Sequence, residues 1–313
     1  MNCPSLRFST VDSLSLERCF SVNHIDQIAF AHRKHSCILY VFILCALCVK
    51  KLFSMNRFLA CFLLFWVSFL PQTSHAQAPV SPSATTLSAR FPAPAGFQRA
   101  AAASTSFEAF LRQLPLKPWG SKVLYFDGRT KNTPDVYVSV VALGIGKKDL
   151  HQCADAVMRL RAEYLFQQKQ FDKIHFNFLA DGKPRYFSTY AKGDYSYPTF
   201  WKYMESIFAS ANTRSLHDEL QPISMQNLKI GDVFIQKGVP FGHAVMVVDM
   251  IQNPTTGQKL FLLAQSYMPA QETQILKNPN NSTLSPWYEL KNETLETPEW
   301  TFEPGDLRRF KDN

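Results

Sequence analysis

Cys153, His243 and Gln265 are three side chains whose types and order suit nucleophilic attack on an amide carbonyl. A cysteine can attack the carbonyl carbon, a histidine can return a proton to the leaving amine, and a polar side chain can fix the ring orientation and tautomer of that histidine. The attacking species is the thiolate, and an ordinary thiol is only a few per cent ionised at neutral pH. A helix N-terminus and an adjacent imidazolium are two features that stabilise a thiolate.

Cys153 is the last of seven cysteines, and the other six precede residue 62. Removal of an N-terminal export signal would therefore leave one thiol in the folded part. A single thiol in an exported protein cannot form an internal disulfide. Its possible roles are a small buried hydrophobe, an intermolecular disulfide partner and a nucleophile.

Residues 55–76 have the three parts of a secretory signal peptide. Met55-Asn-Arg57 is basic, Phe58–Leu70 is a run of thirteen uncharged residues, and small residues precede Ala76 and Ala78. Thirteen helical residues cover only ~20 Å of a hydrocarbon core that is ~30 Å thick, so a membrane span is the weaker interpretation. The sequence predicts cleavage near Ala76 or Ala78 and a secreted or periplasmic protein.

Residues 1–54 are interpreted as an over-called start or a non-globular N-terminus. They contain a second short apolar run, 37–49, which is followed by Lys50 and Lys51. If this segment is translated and stays uncleaved, it gives an alternative in which the N-terminus associates with the membrane. No stable membrane span is predicted otherwise.

Composition and motifs after residue 76 argue against several classes of function. This part has 26 Lys plus Arg against 22 Asp plus Glu, without a basic run, so no nucleic-acid partner is predicted. Its four histidines, at positions 151, 175, 217 and 243, do not have zinc-binding spacing. With no glycine-rich phosphate loop either, we predict neither a metal nor a cofactor.

The chain after the signal is predicted to be a flexible linker over 77–96 and a single α+β domain over 97–313. Cys153 falls near the start of a helix predicted over 150–168, with Asp149 as its N-cap. Other helices are predicted at 107–114, 199–210 and 215–220, and strands at 122–126, 135–143, 173–178 and 185–190.

The last third of the domain predicts an antiparallel meander that places His243 beside Gln265. Three strand-like segments, 228–235, 242–249 and 260–266, follow one another with short connections. His243 opens the middle strand, and the third strand returns so that Gln265 comes level with it. Asp249 is expected on the same face as His243 but about 20 Å away at ~3.4 Å per residue, so Gln265 is the better partner.

Two resemblances follow from these residues. The order of a cysteine at a helix start, Gly231-Asp-Val-Phe-Ile235, a strand that opens with His243 and a polar residue on the next strand resembles the NlpC-type cell-wall cysteine peptidases of the papain-like superfamily. The stretch from Phe91 to Phe310 resembles more closely a bacterial family described as domain of unknown function 4846. That resemblance rests on six segments, at 152–164, 231–235, 242–245, 262–271, 285–288 and 297–302.

The peptidase resemblance implies a papain-like core in which the cysteine-bearing helix packs on an antiparallel sheet, with strand and helix decoration before it. It implies a thiol hydrolase with an amide or peptide substrate, and it suggests peptidoglycan peptides. Where these peptidases have Asp-Cys-Ser-Gly, this chain has Gln152-Cys-Ala-Asp155. Gln152 is predicted to offer a side-chain donor to the substrate.

Several alternatives stay open at this level. Trp287 and Tyr288, in a proline-anchored loop, either wall a substrate cleft or pack on the core. Leu150, Cys153, Val157, Leu160 and Tyr164 recur at helical spacing, which also suits a buried structural cysteine. A non-catalytic cell-envelope binding module and an acyltransferase that forms a thioester are the rival functions.

Overall fold

The computed structural model describes residues 77–312, which form a mixed α+β structure around an antiparallel sheet. The predicted signal peptide and residues 1–54 lie outside the described residues. The strands of this sheet are β1 (Tyr137–Val140), β4 (Gln221–Pro222), β5 (Val233–Gln236), β6 (His243–Gln252), β7 (Lys259–Gln265), β8 (Gln274–Leu276), β9 (Tyr288–Glu289) and β12 (Leu307–Arg309). They run in the order β1-β8-β7-β6-β5-β12-β4, and β9 pairs with the first part of β7.

The helices lie before and between these strands, and two small hairpins complete the fold. The helices are α1 (Leu87–Arg90), α2 (Phe107–Arg112), α3 (Cys153–Gln167), α4 (Phe187–Ala191), α5 (Tyr197–Ser210) and α6 (Thr213–Glu219). The hairpins pair β2 (His175–Asn177) with β3 (Pro184–Tyr186) and β10 (Leu295–Glu296) with β11 (Thr301–Phe302).

The predicted meander is confirmed, because β5, β6 and β7 pair antiparallel in sequence order and His243 opens β6. Side chains alternate between two buried layers along these strands. Ala244 and Met246 face the main core, which also contains Val157 and Met158 of α3. Val245 and its neighbours on the other face form a second core under the β10–β11 hairpin, together with Val247, Phe234, Phe261, Leu263 and Phe302. The sheet is thus covered on both faces.

Asp249 does not share a face with His243, so that expectation is wrong. The pairing of β6 with β7 shifts between Val247 and Asp249, where Val248 forms a bulge. Val247 pairs with Leu263 of the second core, but Asp249 pairs with Leu262 of the main core. One extra residue in a strand reverses the side-chain alternation that follows it.

Residues 77–96 are packed against the domain, although their composition predicts a flexible linker. They include α1, and the side chains of Leu87 and Phe91 are fully buried in the main core. The N–H of Ala78 donates to the carbonyl of Thr283. Two short predicted strands also differ: 122–126 contains only isolated bridges at Leu124 and Tyr125, and 187–190 belongs to α4. Within 77–312, no helix combines the length and the apolar character that crossing a bilayer requires.

Candidate functional site

Cys153 is the first helical residue of α3, which begins later than the sequence predicts. The N-cap is Gln152, whose backbone is extended and whose N–H donates to Asp155 Oδ2 at 3.0 Å. The predicted cap, Asp149, instead accepts hydrogen bonds from the Gln152 side chain and from the N–H of Ala270. The N–H groups of a first helical turn have no partner inside the helix, so the thiol lies at the positive end of the α3 dipole.

The thiol lies between the start of α6 and the start of β6. Its sulfur is 3.7 Å from Thr213 Oγ1 and 3.9 Å from the carbonyl oxygen of Gly242. Cys153 is only 5% exposed, yet it borders a cavity of about 270 Å³ that also touches Gln152, Asp155 and the 237–242 loop. A reagent or substrate would have to reach the sulfur through this cavity.

Burial dominates the electrostatics of the thiol. Loss of solvation raises the pKa of Cys153, and the hydroxyl of Thr213 opposes this increase. The nearby carboxyl of Asp155 adds to the increase, whereas the N–H groups of Ala154 and Ala244 oppose it. The net shift is upward, so the helix N-terminus does not produce the resting thiolate that the sequence suggests.

His243 and Gln265 form the pair that the strand register predicts. His243 Nε2 lies 2.9 Å from Gln265 Oε1, and both side chains are about 1% exposed. Burial lowers the pKa of His243 to about 4; the hydrogen bond to Gln265 opposes this shift and the charge of Lys131 increases it. The imidazole is therefore neutral at pH 7.

The thiol and the imidazole approach the start of β6 from different sides. Cys153 belongs to the helix that packs on the face of Ala244, whereas His243 packs against Trp300 and Phe302 of the second core and against Tyr267. Among the described residues, the hydrogen-bond partners of the sulfur are Thr213 and Gly242, and His243 is not one of them. The two groups are adjacent through the backbone but are not hydrogen-bonded to each other at rest.

An ion pair that the sequence does not indicate lies behind Gln265. Gln265 Nε2 donates to Glu299 Oε2 at 2.6 Å, and Lys131 Nζ donates to both carboxylate oxygens of Glu299 at 2.7 and 2.6 Å. Glu299 lies in the 297–302 segment, which the sequence links only to the family resemblance. Lys131 lies in a loop far from any motif, so no local pattern could have indicated it.

The three predicted substrate-binding residues fall in two places. Gln152 borders the Cys153 cavity, with its side-chain amide donating to Asp149 at 3.2 Å. Trp287 is fully buried in the main core, and Tyr288 pairs with Phe261 near the far end of β7 from Gln265. The structure therefore brings Gln152 to Cys153 and does not bring Trp287 or Tyr288 there.

Two other features of residues 77–312 bear on the choice of site. This part of the chain has no group of three or more His, Cys, Asp or Glu side chains arranged to hold a metal ion.

A larger cavity of about 550 Å³ contains His175 and Glu219, and burial raises the pKa of Glu219 to about 7. The described residues that line this cavity include no cysteine, serine or threonine. The Cys153 cavity is the better candidate for covalent chemistry.

The fold and the site thus define an α+β protein with a buried cysteine at a helix start and a histidine–glutamine pair on an antiparallel sheet. The family profile described as domain of unknown function (4846) matches residues 87–309, and the chain belongs to that family. A search of curated proteins found no match. A search of solved structures also found none.

Proposed function

We propose that this protein is a thiol hydrolase that cleaves an amide or peptide bond, with Cys153 as nucleophile and His243 as general base. The observation that carries the proposal is the 2.9 Å contact of His243 Nε2 with Gln265 Oε1, directly after Gly242, whose carbonyl oxygen lies 3.9 Å from the thiol sulfur. This contact occupies one ring nitrogen and leaves Nδ1 for proton transfer. The order cysteine helix, histidine strand, polar strand supports a papain-like core.

The resting site holds a neutral thiol and a neutral imidazole, since burial raises the pKa of Cys153 and lowers that of His243. His243 therefore acts as a general base at the moment of attack and not as half of a preformed ion pair. The thiol leaves Thr213 and turns past Gly242 to reach Nδ1. Such contacts are often long without substrate and tighten when substrate binds.

The proposed reaction has two halves. Nδ1 takes the thiol proton while the sulfur bonds to the carbonyl carbon, and the C–N bond then breaks as the imidazolium gives that proton to the leaving amine. Water, deprotonated by Nδ1, next attacks the thioester, and the proton returns to the sulfur as the acid leaves. Free N–H groups in the first turn of α3 can bind the developing oxyanion.

The experiment uses p-nitrophenyl acetate as a generic acyl donor, with intact-mass detection of the acetylated protein. Wild type should release p-nitrophenol through Cys153, Cys153→Ala should abolish that turnover, and His243→Asn should reduce it by at least about 100-fold because the general base is lost. Equal turnover in wild type and Cys153→Ala would exclude the hydrolase proposal. A stable acetyl group on Cys153 that only an added amine removes would favour the acyltransferase alternative.

A non-catalytic binding module is the second candidate, and one observation favours it: the thiol is buried, its pKa is raised, and its hydrogen-bond partners are Thr213 and Gly242 and not His243. In that case p-nitrophenyl acetate would leave Cys153 unmodified in the folded protein. Iodoacetamide would also react with the thiol only after unfolding.

Peptidoglycan peptides are the substrate suggested by the peptidase resemblance, and the predicted signal peptide would bring the domain to them in the periplasm or outside the cell. The site of signal-peptide cleavage can be determined by N-terminal sequencing of the protein produced in a secreting host. A mature N-terminus at residue 77 or 79 supports export with processing. An intact chain that starts at Met1 and stays with the membrane supports the retained N-terminus.

A further inference from the structure

Lys131, Glu299, Gln265 and His243 form one continuous chain of polar contacts. The Lys131 ammonium binds both oxygens of the Glu299 carboxylate, which accepts from Gln265 Nε2, while Gln265 Oε1 contacts His243 Nε2. The side chains of Lys131 and Glu299 are 2% and 14% exposed. Four residues from three distant parts of the sequence thus meet behind the imidazole.

The chemistry of this chain allows one direction of hydrogen bonding. A lysine ammonium only donates and an ionised carboxylate only accepts, so Glu299 must face the NH₂ end of Gln265. The carbonyl end of Gln265 then faces His243 and can only accept. The hydrogen must be on His243 Nε2, which leaves the lone pair on Nδ1.

We propose that Glu299, held by Lys131, is a positioning residue that sets the tautomer of His243 through Gln265. A glutamine alone cannot do this, because its amide can present either end to the ring. The ion pair fixes the amide orientation, because Glu299 accepts only from the NH₂ end of Gln265. The inference about catalysis rests on the proposed thiol hydrolase, whereas the tautomer is a property of the folded protein whatever its activity.

Stability alone is a poor explanation for this arrangement. A buried ion pair gains little over a well-packed apolar pair, because two charges must lose their hydration. Burial also lowers the pKa of Lys131, although the contact with Glu299 opposes this shift. The direction of the shift indicates that burial of the ammonium charge is unfavourable. A charged pair in contact with a neutral amide is better explained by its effect on the orientation of that amide.

The test measures the tautomer of His243 directly by long-range ¹H–¹⁵N NMR of the ¹⁵N-labelled protein at pH 7, where this ring is neutral. Comparison with His243→Asn assigns the signal. Wild type should show a ring protonated at Nε2, and Lys131→Arg should keep it so. In Glu299→Gln the new amide can donate to Gln265, so Gln265 can turn over and a form protonated at Nδ1 should appear.

The matched control is Glu272→Gln. Glu272 is a carboxylate of similar burial, 10% exposed, that pairs with Lys117 and has no contact with Gln265. This variant should retain the wild-type tautomer. A wild-type ring protonated at Nδ1 would overturn the assignment, even if Glu299→Gln failed to fold. A folded Glu299→Gln protein with an unchanged ring would overturn it as well.

The outcome is separable from that of the proposed function. If the ring behaves as expected but p-nitrophenyl acetate turnover does not need Cys153, the hydrolase proposal fails and the positioning role stands. If turnover needs Cys153 and His243 but neither the ring nor the turnover changes in Glu299→Gln, the positioning role fails and the hydrolase proposal stands.

Discussion

The sulfur of Cys153 lies 3.9 Å from the carbonyl oxygen of Gly242, the residue immediately before His243. This short path along the backbone, and not a side-chain hydrogen bond, is what joins the candidate nucleophile to its candidate base. It makes two properties decisive for the proposed chemistry: how readily the thiol leaves its resting contacts, and how closely β6 approaches the helices.

The reactivity of the thiol should follow its buried, neutral state. We expect iodoacetamide alkylation of native Cys153 to rise with an apparent pKa above the usual value of about 8.5, because burial disfavours the thiolate. His243→Asn should slow alkylation at pH 7 by about tenfold, since a base that assists the thiol is lost. Mass spectrometry after timed quenching gives the rates.

The control for this measurement is His175→Ala, which removes a histidine of the other cavity and should leave the rate unchanged. Alkylation that proceeds only at the rate of global unfolding, with no difference between wild type and His243→Asn, would contradict a role for His243 at the thiol.

Gly242 should tolerate no side chain. A methyl group there would overlap the carbonyl oxygen of Gln236 and come within 3.0 Å of Thr213 Cγ2. Gly242→Ala should therefore lower the free energy of unfolding by about 2 kcal/mol, the usual cost of overpacking a rigid site. Urea unfolding measures this change. Gly305→Ala, at a position with open space around it, should change stability by less than about 0.5 kcal/mol, and an equal loss in both variants would refute the steric explanation.

Asp155 should make the protein less stable as the pH rises from 4 to 8. Burial raises the pKa of this carboxyl from 3.8 to about 8, and its Oδ1 atom has no hydrogen-bond partner among the described residues. Over this range the folded state keeps a proton that the unfolded state has lost, so the free energy of unfolding falls with pH. Above about pH 8 the carboxyl is ionised in both states, and its contribution to the free energy of unfolding no longer changes with pH.

The corresponding variant is Asp155→Asn, which is neutral at every pH and keeps an acceptor for the N–H of Gln152. Its stability relative to wild type should increase by at least about 1 kcal/mol between pH 4.5 and pH 8, as measured by urea unfolding at both values. Asp127→Asn is the control, because Asp127 is exposed and its pKa is lowered, so its effect should be the same at both pH values. Parallel curves for wild type and Asp155→Asn would show that Asp155 is ionised normally.

The sequence was sufficient to predict the contact of His243 with Gln265, because it depends on local rules. Alternation with a period of two and short connections determine which strand ends meet, and Phe261 and Leu263 do share the face of the second core. The start of α3 was less predictable, since Asp149 and Gln152 are both able to cap a helix and tertiary contacts of Asp149 with Ala270 decide between them.

Contacts between distant segments could not be predicted in this way. Lys131 and Glu299 are 168 residues apart; Lys131 belongs to no motif, and the 297–302 segment that contains Glu299 does not indicate its partner. The raised pKa of Cys153 depends first on burial, which the apolar stripe of α3 suggested as one alternative, and then on contacts with Thr213 and Asp155. The bulge at Val248 has no signature in a run of β-branched residues, so the position of Asp249 was mispredicted.

Asp249 should be a major source of stability because the bulge turns it into the main core. Its side chain is fully buried, and its two oxygens accept hydrogen bonds from Arg99 at 2.8 Å and Arg112 at 2.9 Å. Asp249→Ala would leave both arginines without their anion and detach α2 from β6, at a cost of about 3 kcal/mol in urea unfolding. Asp181→Ala, which breaks an exposed pair with Arg185, should cost less than about 1 kcal/mol. Similar losses in the free energy of unfolding of the two variants would show that Asp249 stabilises the protein no more than a surface charge does. The stabilising role assigned to the bulge would then be wrong.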